Sequence, residues 1–155
     1  MPNPEPKDRV VATNRKAYHD YFVDEVVETG VVLTGTEIKS VRAGRISLRD
    51  SYAKVEGDEV WLLNSHISPY EQGSRFNHDP DRPRKLLLHR SQIRQLHRKT
   101  LEKGFTLVPL RVYLKQGLAK VELAVARGRR AYDKREAVAE READREIERE
   151  LARRR

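Results

Sequence analysis

Leu110, Val112 and Leu114 alternate with Arg111, Tyr113 and Lys115, and after Gln116-Gly117 the pattern resumes at Ala119, Val121, Leu123 and Val125. A period of two sends successive side chains to opposite faces of an extended chain, so this stretch predicts a β-hairpin with one apolar face. The other face carries Arg111, Lys115 and Lys120 beside Tyr113. A fold for this chain must therefore bury one side of a sheet and leave a cationic side in water.

Other segments point the same way. Tyr52 to Val55 and Val60 to Leu63 flank Glu56-Gly57-Asp58, a second hairpin signal. The stretch from Tyr18 to Leu33, rich in Val, Tyr and Phe, predicts a long strand or two strands around a bulge at Gly30. Thr34-Gly35-Thr36-Glu37 has the form of a capping box, and Ile38 with Val41 lies at helical spacing, so a short helix is expected to end near Gly44. Gln72 to Arg84 reads as a loop with Gly73, Asn77, Pro80 and Pro83. Lys85-Leu86-Leu87-Leu88 then leads into a helix from about Ser91 to Lys103 closed by Gly104, with Arg90, Arg94 and Arg98 in a row along it.

About six strands with two or three helices give a mainly β class with short helices (α+β). For a basic chain the natural member of that class is an oligonucleotide-binding-like barrel. Residues 1–13, with three prolines among the first six positions, are expected to form a disordered N-terminal tail, and residues 14–126 the barrel.

Residues 127–155 cannot add to a core. They hold 19 charged side chains, with Val138, Ile147 and Leu151 as the large aliphatics. Their spacing is nevertheless ordered: Arg141, Arg145, Arg149 and Arg153 recur every fourth residue, as do Ala139, Ala143, Ile147 and Leu151. On a helix these become two drifting stripes separated by acids, the pattern of a solvated helix. Ahead of it, Tyr132 lies among Arg127, Arg129, Arg130, Lys134 and Arg135, a grouping suited to phosphates and a stacked base. A solubilising extension is the competing reading of such a charge run.

The charge balance extends this to the whole chain. Net charge is +8, and the part up to Ala126 is basic in its own right, with 21 Lys or Arg against 16 Asp or Glu. An anionic partner is expected for barrel and tail alike. Cysteine is absent, which removes disulfides, thiolate zinc sites and cysteine nucleophiles together. No apolar run approaches the ~20 residues of a membrane span, and the first residues lack the apolar region of a signal peptide. A cytoplasmic protein without a membrane partner is expected.

Candidate catalytic chemistry is sparse. His19, His66, His78, His89 and His97 show no metal-ligand spacing, and no Gly-rich phosphate loop or nucleophile elbow is present. Asp79 and Asp81 beside His78 offer an acid, a base or a Mg2+ ligand, but Pro80 and Pro83 favour a structured turn. The chain is expected not to be an enzyme and to need neither cofactor nor metal. The positive signal is the segment from Arg75 to Lys103, with nine Lys or Arg and three histidines. In it Arg84-Lys85 reads as a solvated strand start, and His89 as a helix-start residue or a base-stacking group.

Five blocks in order carry a resemblance. They are Asn14-Arg15-Lys16-Ala17-Tyr18-His19-Asp20-Tyr21, Gly35-Thr36-Glu37-Ile38-Lys39-Ser40-Val41-Arg42-Ala43-Gly44, Asp50-Ser51-Tyr52, the run from Asp79 to Leu88, and the run from Ala126 to Arg135. In these the chain resembles small protein B, the bacterial family of tmRNA-binding (SsrA-binding) proteins. The resemblance implies an oligonucleotide-binding-type barrel that grips the tRNA-like domain of tmRNA. It also implies delivery to stalled ribosomes together with the elongation factor that carries tRNAs, with the protein acting as a monomer and having no active site.

By that analogy the tmRNA face includes Asn14, His19, Glu28, Glu37, Lys39, Arg42, Arg84, Lys85, Leu87 and His89. The tail would enter the decoding centre and mRNA channel, become helical there, and use Arg129, Arg130, Tyr132, Lys134 and Arg135 against ribosomal RNA, with Arg127 and the stripe Arg141, Arg145, Arg149, Arg153 beside them. From the residues alone, Glu28 and Glu37 read as solvent-facing and structural, because an acid on an RNA face is electrostatically odd. Composition fits a structural ribosomal or ribonucleoprotein assembly protein with a basic arm equally well. An RNA-processing enzyme using the His78 to Asp81 region is a third reading.

Overall fold

The computed structural model of the chain describes residues 9–70, 77–129, 141–142 and 145–153. Its elements are β1 (Arg9–Thr13), α1 (Arg15–Asp20), β2 (Tyr21–Val31), α2 (Gly35–Arg42), β3 (Ile46–Ser47), β4 (Tyr52–Glu56), β5 (Glu59–Leu63), β6 (His66–Ile67), β7 (Arg84–Leu87), α3 (Arg90–Thr100), β8 (Phe105–Lys115) and β9 (Leu118–Gly128). Strands β8, β4, β5, β7, β2 and β9 pair in that order, and β9 pairs back onto β8. The ring closes. Closure leaves no free edge among these strands, and β1 adds outside the ring on β8.

The hairpin that the alternation predicts is the longest part of the wall. Gln116 and Gly117 both have positive φ, 52° and 79°, the turn geometry that matches the twist of paired strands. Val112, Val121, Leu123 and Val125 face the core with Val60, Leu62, Leu86 and Leu107. Leu110 does not join them. The register slips between Pro109 and Arg111, so Leu110 sits at a bulge and packs outside the barrel with Ala17, Val108, Ala124 and Ala126. Small alanines on the outer face of β9 leave room for α1 to lie close.

That bulge and its helix correct two expectations. Residues 18–20 belong to α1 rather than to a strand, and β2 begins at Tyr21. Asn14 explains the helix: its side-chain oxygen accepts from the Ala17 N–H at 3.2 Å. Its N–H donates to Leu110 O and its Nδ2 to Pro109 O, at 2.7 and 2.9 Å, capturing carbonyls beside the bulge. The slip in β2 lies between Val23 and Glu25, not at Gly30, which stays paired to Leu87 and Lys120.

Boundaries shift as well. Residues 9–13 are tied down as β1 against β8, so the N-terminal segment is ordered from Arg9; residues 1–8 lie outside the described set. The barrel runs on to Gly128, two residues past Ala126. Helix α2 has the expected capping box and ends at Arg42, with Ala43 as its C-cap. Helix α3 stops at Thr100, earlier than Lys103, and Gly104 follows with φ 92°. Its Arg90, Arg94 and Arg98 are exposed, with Ile93 and Leu96 buried beneath.

Candidate nucleic-acid interface

Strand pairing assembles one cross-strand row from four distant segments, in which Tyr113 is only 5 % exposed. Leu87 on β7 lies opposite Gly30 on β2, Gly30 opposite Lys120 on β9, and Lys120 opposite Tyr113 on β8. Leu87 is 51 % exposed. A Cβ on Gly30 would stand 3.2 Å from the Leu87 Cβ, so the missing side chain lets leucine lie across the strand. The next row holds Glu28, Glu122 and Arg111.

Two acids thus face each other across strands, an arrangement that needs compensation. Arg111 Nε donates to Glu122 Oε2 at 2.5 Å, and the Tyr113 hydroxyl donates to Glu28 Oε2 at 2.5 Å, with Lys115 Nζ 3.5 Å from the same oxygen. The Tyr113 bond, outweighing partial desolvation and helped by Lys115 and Lys120, holds the Glu28 carboxyl below the usual range. Glu28 is therefore a fixed, ionised acceptor beside Lys115, Lys120 and the paired Arg111 and Glu122. The hairpin alternation had already put Lys115, Lys120 and Tyr113 together. Their adjacency to Glu28, Gly30 and Leu87 is a product of closure and has no sequence signature.

Three of the residues that the resemblance points to are buried. Glu37, Arg84 and Asn14 are 0 %, 1 % and 7 % exposed. Asn14 is the pin described above. Arg84 directs all five guanidinium N–H groups inward: to Glu37 Oε2 (2.6 Å), Ser65 O and Oγ (3.0 and 2.9 Å), Asp79 O (3.3 Å) and Pro80 O (3.0 Å). The solvated strand start expected for Arg84-Lys85 holds for neither residue in full, since Lys85 is half-buried and pairs with Glu59 at 3.4 Å.

Glu37 accepts from the Thr34 N–H at 2.8 Å and from Arg82 as well, so it closes its helix and clamps β7 at once. It is not solvent-facing. Burial alone would raise its pKa, but the Arg82, Thr34 and Arg84 donors lower it below the ordinary value. All three are buried beneath the surface and engaged with the protein's own groups.

The remaining positions are accessible. His19, Lys39, Arg42 and His89 are exposed, at the end of α1, along α2 and at the N-cap of α3. The Lys39 ammonium lies 5.4 Å from the Tyr70 ring, and the His89 N–H donates to the Gln92 side chain at 3.0 Å. The His78 to Asp81 segment is a turn. Asp79 accepts from the Asp81 N–H, Asp81 binds His66, and His78 bridges Thr36 and Ile67 O. Among the described residues no group of three or more His, Cys, Asp or Glu is gathered for a metal, and no helix is long and apolar enough to cross a membrane.

At the root of the tail, Arg127 lies 5.4 Å from the Phe105 ring, and Arg129 lies 4.2 Å from that of Phe22. Arg130, Tyr132, Lys134 and Arg135 fall outside the described residues. Arg141, Arg145, Arg149 and Arg153 are helical and exposed, and Ile147 and Leu151 are 57 % and 60 % exposed. Residues 141–142 and 145–153 are thus helical and exposed to solvent, in keeping with their spacing.

The SmpB protein family matches this chain over residues 11–153. The SsrA-binding protein of Desulfitobacterium hafniense (strain DCB-2) is 64 % identical over 135 residues, 87 % of this chain and 86 % of that one. Those of Symbiobacterium thermophilum and Desulforudis audaxviator are 62 % and 59 % identical, over 92 % and 94 % of this chain and 89 % and 93 % of theirs. A chain in the solved structure "tmRNA-SmpB: a journey to the center of the bacterial ribosome" superposes with a TM-score of 0.64 at 50 % identity, covering 75 % of this chain and 82 % of that one.

Proposed function

The chain belongs to the SmpB protein family, and from that premise we propose that it is a non-catalytic factor that binds the tRNA-like domain of tmRNA and delivers it to stalled ribosomes for peptide tagging. The observation that carries this reading is the surface formed by Leu87, Gly30 and Lys120 beside Glu28 and Lys115, with the buried Tyr113 holding Glu28 from beneath. An apolar shelf, a fixed acceptor and cations suit a structured RNA with accessible base edges, where shape and hydrogen bonding accompany phosphate contact. His19, Lys39, Arg42, Lys85 and His89 extend the tmRNA face, while Asn14, Glu37 and Arg84 support it from within.

The tail from Arg127 onward is assigned to the decoding centre and mRNA channel, with the tRNA-carrying elongation factor as a companion during delivery and the protein acting as a monomer. Residency as a permanent ribosomal component has no support from the relatives. The test is to recover the protein from cells and sequence its bound RNA, with a gel-shift on a chain lacking residues 130–155, which leaves β9 whole. Retained tmRNA binding with lost tagging is expected. Loss of tmRNA binding in the shortened chain overturns the division of labour.

A further inference from the structure

β9 ends at Gly128, paired to Tyr21, and Arg127 lies opposite Phe22 on one side and Phe105 on the other. The next residue does not simply continue into solvent. Arg129 turns back so that its guanidinium carbon is 4.2 Å from the Phe22 ring centroid, while its Nε donates to Tyr21 O at 3.3 Å. Two directional contacts therefore seize the first residue of the tail, one to a ring and one to a carbonyl of the same strand. The resemblance gave Arg129 to ribosomal RNA, and no role to Phe22.

The contacts define an angle. A tail joined to the barrel by one strand end has free rotation about each backbone bond that follows, and a long charged helix amplifies a small change at its root. A cation held over a ring within 6 Å, with its Nε tied to a fixed carbonyl, restricts the first of those rotations. Tyr21 and Arg129 of this clasp also line an open cleft together with Lys16, Tyr18 and His19. We propose that Phe22 is a positioning residue: through Arg129 it fixes the direction in which the tail leaves the barrel. Its functional consequence rests on the reading that the tail acts on the ribosome.

A cation–π contact of this exposure shifts a population by about two- to fivefold. That is enough to favour one tail direction and small enough for a phosphate to displace Arg129 once the tail is seated. Phe22→Leu removes the ring face and keeps apolar bulk; Phe22→Tyr restores the face.

The chain has no native cysteine, so nitroxides at Asp58→Cys and Ala131→Cys report the barrel-to-tail distance in the free, full-length protein. The expected result is a narrow distribution with Phe22, a broad one with Leu and a narrow one again with Tyr. Tagging on stalled ribosomes is expected to fall about two- to fivefold with Leu and recover with Tyr, while tmRNA affinity stays within about twofold throughout. An unchanged distribution in Phe22→Leu overturns the positioning role whatever the tail does. A broadened distribution with normal tagging overturns its functional consequence. Normal tagging after removal of residues 130–155 overturns the ribosomal reading itself, leaving the distance result to stand on its own.

Discussion

Replacing Arg84 by Lys keeps the charge and removes two N–H donors. In the native protein five donors meet five acceptors, on Glu37, Ser65 (two), Asp79 and Pro80, in a site where Arg84 is 1 % exposed. An ammonium offers three donors around a point rather than a planar fork, so at least two of those acceptors lose a partner. Each buried polar group left unsatisfied costs about 1 to 3 kcal/mol. Arg82 still holds Glu37, which keeps the sum toward the lower end, about 2 to 4 kcal/mol.

For a chain of this length each kcal/mol moves Tm by about 2 to 4 °C. Arg84→Lys is therefore expected to melt about 4 to 16 °C lower. The assay is thermal unfolding at pH 7 by calorimetry, paired with filter binding to the tRNA-like domain well below either Tm. Fully folded, the variant is expected to bind RNA nearly as the native protein does. If Arg84 touched phosphate instead, the pattern would invert, with little change in Tm and a change in affinity. A Tm within about 1 °C of native would refute the burial argument.

Tyr113→Phe removes the donor that fixes Glu28; tmRNA affinity is expected to fall about two- to tenfold, and the Glu28 carboxyl, followed by NMR, to titrate at higher pH. Glu37 has a folded pKa below its ordinary value of 4.5, so its contribution to stability is present above that value and is lost as pH falls through the folded pKa. Urea unfolding of Glu37→Gln is accordingly expected to show a shallower acid limb below about pH 4.5 than the native chain; parallel limbs would contradict the sign. Glu148→Pro, inside the helical residues 145–153, costs a helix about 3 kcal/mol and is expected to abolish tagging on stalled ribosomes while gel-shift affinity for tmRNA is retained.

Local rules carried the sequence reading as far as local interactions reach. The two hairpins and the capping box at Thr34 appear where alternation, turn residues and the Glu37 spacing put them. Helix α1 escaped because residues 15–20 have no apolar periodicity of their own; the helix exists because Asn14 caps it and Ala124 and Ala126 leave it a seat, more than a hundred residues later in the chain. Leu110 obeys the alternation in sequence and breaks it in space, since one bulged residue inverts its face. Arg82 and Arg84 look equivalent in the sequence. Only the positions of Ser65 and the Pro80 carbonyl decide that Arg84 is swallowed and Arg82 stays partly in water.

Burial also changes what a motif residue means. Glu37 and Arg84 stand in blocks that the resemblance ties to tmRNA, and the simplest inference makes each a contact. Their geometry assigns a different cause: the pair welds α2 to β7, so the exposed Lys39 and Arg42 on one element keep a fixed relation to Leu87 on the other. Glu28 is the opposite case, an acid kept at the surface by Tyr113, Lys115 and the Arg111–Glu122 pair beside it. Much of the hairpin's positive charge is spent in holding that carboxylate in place. Lys120 adds to the field that keeps Glu28 ionised, and on the proposed function its ammonium is the group that meets phosphate, next to an acceptor that repels phosphate and receives base or ribose donors. A ligand must then present an anion and a donor at the spacing of Lys120 and Glu28, a demand that a bare polyanion does not meet and a folded RNA does.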